Sequence, residues 1–241
     1  MNDDLDQLLV SLKMHRAREV LARELDRAAK EAPAYDAFLA RVLREEYLHR
    51  RQRSLEYRLE HARLPEAWSI DTFPFDRQPG VNAAVIRQLA GLDFVANAQN
   101  LVFIGGTGVG KTGLASGLLR QALVNGYRGR FIRAQDLFDD VFASLADRST
   151  RHMLNQLRSW DVLLIDEMGY LNLKPEQCNI FFKLMEERYT KKATIITTNL
   201  EYDDWYGFLG QKPMVQALLD RLRHKCHTIR IDGPSLRNPT G

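Results

Sequence analysis

The chain has 241 residues, 45% of them hydrophobic, and a formal net charge of +3; this suits one sizeable domain with a small companion, and the charge balance names no partner by itself. No apolar run approaches the roughly 20 residues of a membrane span, and a start carrying Asp3, Asp4 and Asp6 does not read as a secretory signal, so the expectation is a cytoplasmic protein with no membrane part. Cys178 and Cys226 stand far apart without C-x-x-C spacing, which suggests neither a zinc site nor a disulfide framework and leaves both as structural residues.

From Leu5 to Leu25, apolar residues at Leu5, Leu8, Leu9, Leu12, Val20, Leu21 and Leu25 recur at helical spacing among alternating charges, which predicts one amphipathic helix. Pro33 interrupts it. A second periodic stretch passes through Tyr35, Phe38, Leu39, Val42 and Leu43 towards Leu55 and Leu59, and Leu64-Pro65 ends it. Residues 1–64 therefore read as a helical unit, too small to be assumed to fold alone. It carries a basic cluster, His49, Arg50, Arg51, Arg53, Arg58 and Arg63, with Tyr47 and Tyr57 interleaved and only Glu56 and Glu60 opposing. Charge-rich helical faces are common, so one reading is a solvated face. The other is a phosphate-contacting surface, because arginine forks match phosphate oxygens and several together neutralise a nucleic-acid backbone.

Residues 65–80, with Trp68, Phe73, Pro74, Phe75 and Pro79, form a connector too aromatic for a free linker and expected to pack on a neighbouring surface. Residues 82–92 read as a short helix. Then Leu101-Val102-Phe103-Ile104 gives a buried-strand pattern, Gly105-Gly106-Thr107-Gly108-Val109-Gly110-Lys111-Thr112 follows, and Leu114, Leu118 and Leu119 continue at helical spacing. Strand, glycine loop and helix in that order are the context of a P-loop. A phosphate chain needs converging backbone N–H groups with no Cβ atoms in the way, and Gly105, Gly106, Gly108 and Gly110 permit that curl at the positive end of a helix. Lys111 is placed to reach the β and γ phosphates of ATP, and Thr112 to offer its hydroxyl to Mg2+.

Asn125-Gly126 closes that helix, Arg130-Phe131-Ile132 reads as a second strand, and residues 135–158 read as helical with a polar break from Asp147 to Arg151. Val162-Leu163-Leu164-Ile165 is a fully apolar strand that delivers Asp166 and Glu167 at its end. This is the Walker B arrangement: Asp166 organises the magnesium shell, and Glu167 orients and deprotonates the attacking water. Pro175 opens a helix through Ile180, Phe181, Leu184 and Met185 that ends in the basic Arg188 and Lys191-Lys192. Ala193 to Asn199 is a β-branched strand whose polar end, Asn199, can contact both the γ phosphate and the attacking water. Pro213 starts a helix with Arg221 and Arg223 near its end, His227 to Ile231 is a fifth strand, and Asp232 to Gly241 reads as a disordered tail. Nearly continuous apolar strands alternating with helices, with phosphate-binding elements at their C-terminal ends, predict a parallel five-stranded α/β sheet flanked by helices with its ligand at that edge.

These residues resemble a known family. The whole chain is similar to the IstB-like transposition helper ATPases of the AAA+ class, related to the helicase loader DnaC and the initiator DnaA. The resemblance rests on Gly105 to Thr112, on Val162 to Tyr170, on Thr197-Thr198-Asn199, on Leu219-Asp220-Arg221-Leu222, and on the connector run Ala62 to Trp68, the most family-specific of them. It implies a P-loop NTPase of AAA+ type, preceded by a small all-helical domain, that hydrolyses ATP with Mg2+ and assembles as a ring or spiral of identical subunits. Such an assembly binds and deforms duplex DNA without reading sequence and delivers it to the transposase of the same insertion sequence. The resemblance also implies DNA contacts by Arg50, Arg51, Arg53 and Arg58 of the helical domain, and by Arg148 and Arg151 at a channel-lining helix pair. It assigns Arg221 as an arginine finger acting on a neighbouring subunit's ATP, with Arg223 in reserve. After the last strand only the tail remains, leaving no C-terminal lid; Arg237 is a candidate substitute for the lid's sensor arginine that nothing in the sequence decides. The expected organisation is helical domain 1–64, connector 65–80, ATPase domain 81–232 and flexible tail 233–241. Two rival functions stay open: a DnaC-like helicase loader, against which the connector and the basic helix argue, and a small phosphotransferase, against which Glu167 beside Asp166 argues.

Overall fold

The computed structural model describes residues 3–169, 171–210 and 213–237; Tyr170 and positions 238–241 of the expected tail lie outside the described residues. The chain divides into two compact units, Met1–Tyr57 and Arg58–Gly241.

In the first unit, α1 (Asp3–Ser11) and α2 (His15–Glu31) precede the long α3 (Tyr35–Ala62). The single helix expected from Leu5 to Leu25 is therefore two. Lys13 N donates to Val10 O and Met14 N to Leu9 O, and Lys13 takes a left-handed φ of 54°. Helix stops of this kind normally carry glycine. None stands here, so the apolar periodicity runs on through the break. Leu9, Ala17, Leu21 and Val42 make a small core with Met14 and Phe38 against it. Leu5, Leu8, Leu12, Leu25, Leu39 and Leu43 remain exposed, because three short packed segments enclose little volume. Buried Glu46 ties the unit together, accepting from Ala17 N at 3.0 Å and from Arg50 Nε at 2.6 Å.

The last turns of α3 belong to the second unit. Arg58 Nε donates to Leu123 O at 2.8 Å, Arg130 Nη1 donates to His61 O at 3.0 Å, and Ala62 is fully buried. Next come α4 (Ala83–Leu89) and α5 (Asp93–Ala96), then β1 (Asn100–Gly105), α6 (Lys111–Val124), β2 (Gly129–Arg133), α7 (Ala134–Asp147) and α8 (Thr150–Ser159). The chain continues as β3 (Val162–Met168), α9 (Pro175–Arg188), β4 (Ala193–Thr198), α10 (Trp205–Leu209), α11 (Pro213–His224) and β5 (Cys226–Ile231). The five strands form one parallel sheet, as expected, and their order is β2-β3-β4-β1-β5.

Alternate strand residues face opposite sides, so one sequence of apolar strands feeds two cores. Val102, Ile104, Leu163, Ile165 and Ile196 pack with apolar residues of α7, α8, α9 and α11. Leu101, Phe103, Leu164 and Ile195 pack with α6 and α4 on the other side. The chain moves outward from β1 to β2 through α6 and returns through the opposite layer, which right-handed crossovers require. The connector packs as its aromatic content predicts: a Cβ at Gly113 would lie 3.2 Å from the Trp68 ring, and one at Gly117 would lie 2.8 Å from Ile70. After β5 the chain does not leave the surface at once, since Leu236 N donates to Gly108 O at 2.9 Å.

Candidate active site

The P-loop joins the C-terminal end of β1 to the first turn of α6. Gly108 and Gly110 have φ of 82° and 97°, conformations that side chains rarely adopt, and a Cβ at Gly110 would come within 2.8 Å of the Phe73 ring. The loop thus needs glycine for its curl and for its contact with the connector. Lys111 Nζ turns back over the loop and donates to Gly105 O at 2.7 Å and Gly106 O at 2.6 Å. Burial pushes its pKa down; Asp166 and Glu167 pull it up in part, and Arg237 adds repulsion.

Thr112 Oγ1 donates to both carboxylate oxygens of Asp166, at 2.9 and 3.2 Å. Asp166 is only 3% exposed, and desolvation raises its pKa against the lowering effect of the Thr197 and Thr112 hydroxyls. The two acids do not follow the strand, as the apolar run suggested, but lie inside it, since β3 continues to Met168. Pairing with β4 shifts register between Ile165 and Met168, and Glu167 takes a left-handed φ of 60°. A bulge with strain of this kind re-aims a side chain, at a cost of about 1–3 kcal/mol. Its result is division of labour. Asp166 stays buried against Thr112, and Glu167 is exposed and lines the cavity above the P-loop.

β4 holds this irregular segment through side chains. Thr197 Oγ1 donates to Asp166 Oδ1 at 2.5 Å and accepts from Glu167 N at 2.9 Å. Thr198 Oγ1 donates to Met168 O at 2.6 Å and accepts from Leu200 N at 3.0 Å. Both hydroxyls are buried. Sequence reasoning singled out Asn199 and passed over these neighbours; the available signal was two threonines running into a polar strand end beside an acid pair. Asn199 itself lines the cavity, and its Oδ1 is buried without a hydrogen-bond partner.

The cavity has a volume of about 310 Å3. Thr107, Gly108, Gly110, Lys111, Thr112, Glu167 and Asn199 line it together with Trp68, Phe73, Pro74, Arg77, Leu236 and Arg237. The expected P-loop, Walker B and sensor residues are therefore together. Arg221 is not among them. It lines a different cavity of about 490 Å3, with Asn100 and Thr194 from the N-terminal ends of β1 and β4, and its Nη1 lies 3.4 Å from Glu186 Oε1. The Arg223 guanidinium sits 5.0 Å from the centroid of the Tyr202 ring.

Two of the expected DNA-contacting arginines are engaged within the chain. Arg50 Nη2 donates to Leu12 O and Lys13 O at 3.2 and 2.9 Å besides its bond to Glu46, so it closes the end of α1. Arg58 is half-buried on Leu123 O. Both arginines bond carbonyl groups at helix ends, where Leu123 O also accepts from Gly126 N, a demand that sequence cannot reveal. Arg51 and Arg53 are exposed on α3, and at about 100° per residue they project from opposite sides of it. Arg148 ends α7 with a left-handed φ of 62°, and Arg151 lies in the first turn of α8; both are exposed.

Comparison with known proteins agrees with the geometry. Residues 7–240 match the family described as IstB-like ATP binding protein. The chain is 37% identical over 234 residues to the ATP-binding protein of insertion sequence IS21 from Pseudomonas aeruginosa, covering 97% of this chain and 88% of that one. It is 34% identical to the ATP-binding protein of insertion sequence IS5376 from Geobacillus stearothermophilus, covering 85% and 81%. Among solved structures, the fold is similar to DnaI (TM-score 0.59, 20% identity, 69% of this chain and 92% of that one) and to the DnaC helicase loader (0.57, 23%, 68% and 96%). It is also similar to the replication initiator DnaA bound to AMPPCP and single-stranded DNA (0.60, 19%, 71% and 52%). At these identities the solved structures show likeness of fold alone. With the match spanning nearly the whole sequence, the chain belongs to the family of IstB-like ATP binding proteins.

Proposed function

We propose that this chain is a magnesium-dependent ATPase that assembles on duplex DNA and presents it to the transposase of its own insertion sequence. The observation that carries the enzymatic part is the Thr112 hydroxyl on the Asp166 carboxylate at 2.9 Å, with Glu167 turned into the cavity beside Lys111. Mg2+ keeps several waters and takes one or two protein oxygens plus phosphate oxygens. A hydroxyl and a buried carboxylate in contact fit that demand, so Thr112 and Asp166 would hold the ion, which would neutralise charge on the phosphates.

Hydrolysis then asks three things of the protein. Lys111 compensates γ-phosphate charge. Glu167 accepts a proton as a water oxygen bonds to the γ phosphorus and the bond to the bridging oxygen breaks, releasing ADP and phosphate. Asn199, which lines the same cavity as Glu167, holds that water. Arg221 lies at the opposite ends of the strands from its own P-loop and so acts, on this reading, on the ATP of a second copy. The insertion-sequence relatives support the transposase partner, and the DnaA likeness supports a DNA-bound assembly. Exposed Arg51, Arg53, Arg148 and Arg151 are the phosphate-contacting candidates, whereas Arg50 and Arg58 act in folding.

The test is a pair of substitutions. Lys111→Ala should abolish ATP binding, because the lysine acts on ground-state charge; Glu167→Gln should bind ATP and lose turnover, because it acts only on the water. Wild-type hydrolysis by Glu167→Gln would remove it from that role. Electron microscopy with ATP and linear duplex DNA tests the assembly, since the helicase-loader alternative calls for single strands.

A further inference from the structure

The sequence after β5, Asp232-Gly233-Pro234-Ser235-Leu236-Arg237, has the composition of a free tail. In the folded chain it lies across the P-loop. Leu236 N donates to Gly108 O at 2.9 Å, and Ser235 sits where a Cβ on Gly108 would otherwise be, 2.1 Å from its Oγ. Gln78 of the connector is fully buried, and its Nε2 donates to both Val109 O and Pro234 O at 3.0 Å. One amide thus joins connector, P-loop and C-terminal segment. Two glycines permit the approach: a Cβ on Gly80 would lie 2.0 Å from Asp232 O, and one on Gly233 would lie 1.8 Å from Gln78 Oε1.

Ordering six residues costs backbone entropy, so such ties mark a segment held in place. It is held at the cavity, whose lining combines two chemistries. Lys111, Thr112 and Glu167 bring polar groups to it; Phe73 and Pro74 of the connector and Leu236 bring apolar surface, and Phe73 and Leu236 both pack on Gly110. The first suits a phosphate chain. The second suits a flat apolar ring.

We propose that residues 232–237 complete the nucleobase site, with Leu236 extending the apolar surface that Phe73 and Pro74 offer to the base, and with Arg237 adding a cation at the phosphate end. This rests on the nucleotide-binding reading above and goes beyond it, since it makes the C-terminal segment part of the ATP site. Because the segment is bonded to the loop that holds the phosphates, each stabilises the other: bound nucleotide holds the segment down, and the seated segment slows nucleotide release.

The experiment measures binding of ATP and of inorganic tripolyphosphate, both with magnesium, to the full chain, Lys111→Ala, Leu236→Ser, Arg237→Ala and a chain ending at Asp232. Leu236→Ser should weaken ATP by about tenfold, the worth of one apolar side chain on a ring, and leave tripolyphosphate within twofold. Arg237→Ala should weaken both ligands, and truncation should combine the two losses. Thermal melting without nucleotide checks folding, and if the truncated chain melts early the two point variants decide. ATP binding that depends on Lys111 but is unchanged in Leu236→Ser and Arg237→Ala overturns this inference alone. Failure of the full chain to bind ATP overturns the nucleotide reading and this inference with it.

Discussion

Thr197→Val tests whether β4 sets the aim of the Walker B acids. Valine keeps the shape and β-branching of threonine in a fully buried strand position, so packing is preserved while two hydrogen bonds vanish. The bond to the ionised Asp166 is of the charged class, worth about 1.5–3 kcal/mol, and Glu167 N loses its partner at the register shift. If the charged bond is expressed in the barrier, at 1.36 kcal/mol per decade, kcat falls roughly 10- to 100-fold. Lys111 and the P-loop are untouched, so KM for ATP should stay within about threefold. Thr197→Ser restores the hydroxyl and should recover kcat, which a purely structural role for the β-branched side chain would not allow. Steady-state phosphate release on all three proteins, with melting temperatures as a control, is the assay. A Thr197→Val protein with wild-type kcat would refute the argument that this hydroxyl holds Glu167 in its catalytic backbone conformation.

Arg188→Leu should destabilise the second unit by about 2–4 kcal/mol in denaturant unfolding: the buried guanidinium, its pKa pushed down to about 10 by burial, donates to Leu157 O, Trp160 O, Thr194 Oγ1 and Ala193 O, and all lose it together. Glu46→Gln should cost stability at neutral pH but not in acid. Burial raises the Glu46 pKa, but the Ala17 N–H and Arg50 outweigh it, so the folded value lies below the ordinary 4.5. Its contribution is therefore full above 4.5 and lost as pH falls through the folded value, and the difference in thermal melts between wild type and variant should close over that window. Arg221→Ala should bind ATP normally, fail to hydrolyse it, and regain turnover when mixed with Lys111→Ala protein, because mixed neighbours pair an intact pocket with an intact finger; full activity of Arg221→Ala alone would sink that assignment.

Which features were legible in the sequence follows from where their causes lie. Strand, glycine loop and helix are local, and the apolar runs of β1, β3 and β4 announce strands buried on both faces, so sheet and P-loop could be read directly. The stop at Lys13 could not, because a lysine there adopts the conformation that normally advertises itself with glycine. Arg188 read as the basic end of α9, favoured by the helix dipole; its burial reflects carbonyls of α8 and β4 converging on it from distant sequence positions. Arg50 and Arg58 likewise looked like free cations because the carbonyls they serve lie 37 and 65 positions away. Residues 232–237 read as the start of a disordered tail for the same reason: composition says that a segment can be disordered, and only the partner at Gly108 shows where Leu236 is held.

The acids show most clearly how the site is shared between strands. Adjacent residues of a regular strand point to opposite faces, so Asp166 and Glu167 in regular geometry could not both serve one nucleotide. The register shift and the left-handed Glu167 resolve that conflict, and the strain they carry persists only if neighbours over-determine it. The neighbours are Thr197 and Thr198, immediately before Asn199. Walker B and sensor strand are therefore one mechanical element. A substitution at Asn199 removes its own amide and also a packing contact of the segment that carries Glu167, since Asn199 Oδ1 and Leu200 pack against Gly169, just after β3. Turnover lost in an Asn199 variant then does not measure a water contact. Only a cycle with Thr197→Val separates the two, and the structure requires that their effects combine less than additively, because both act through the position of one carboxylate.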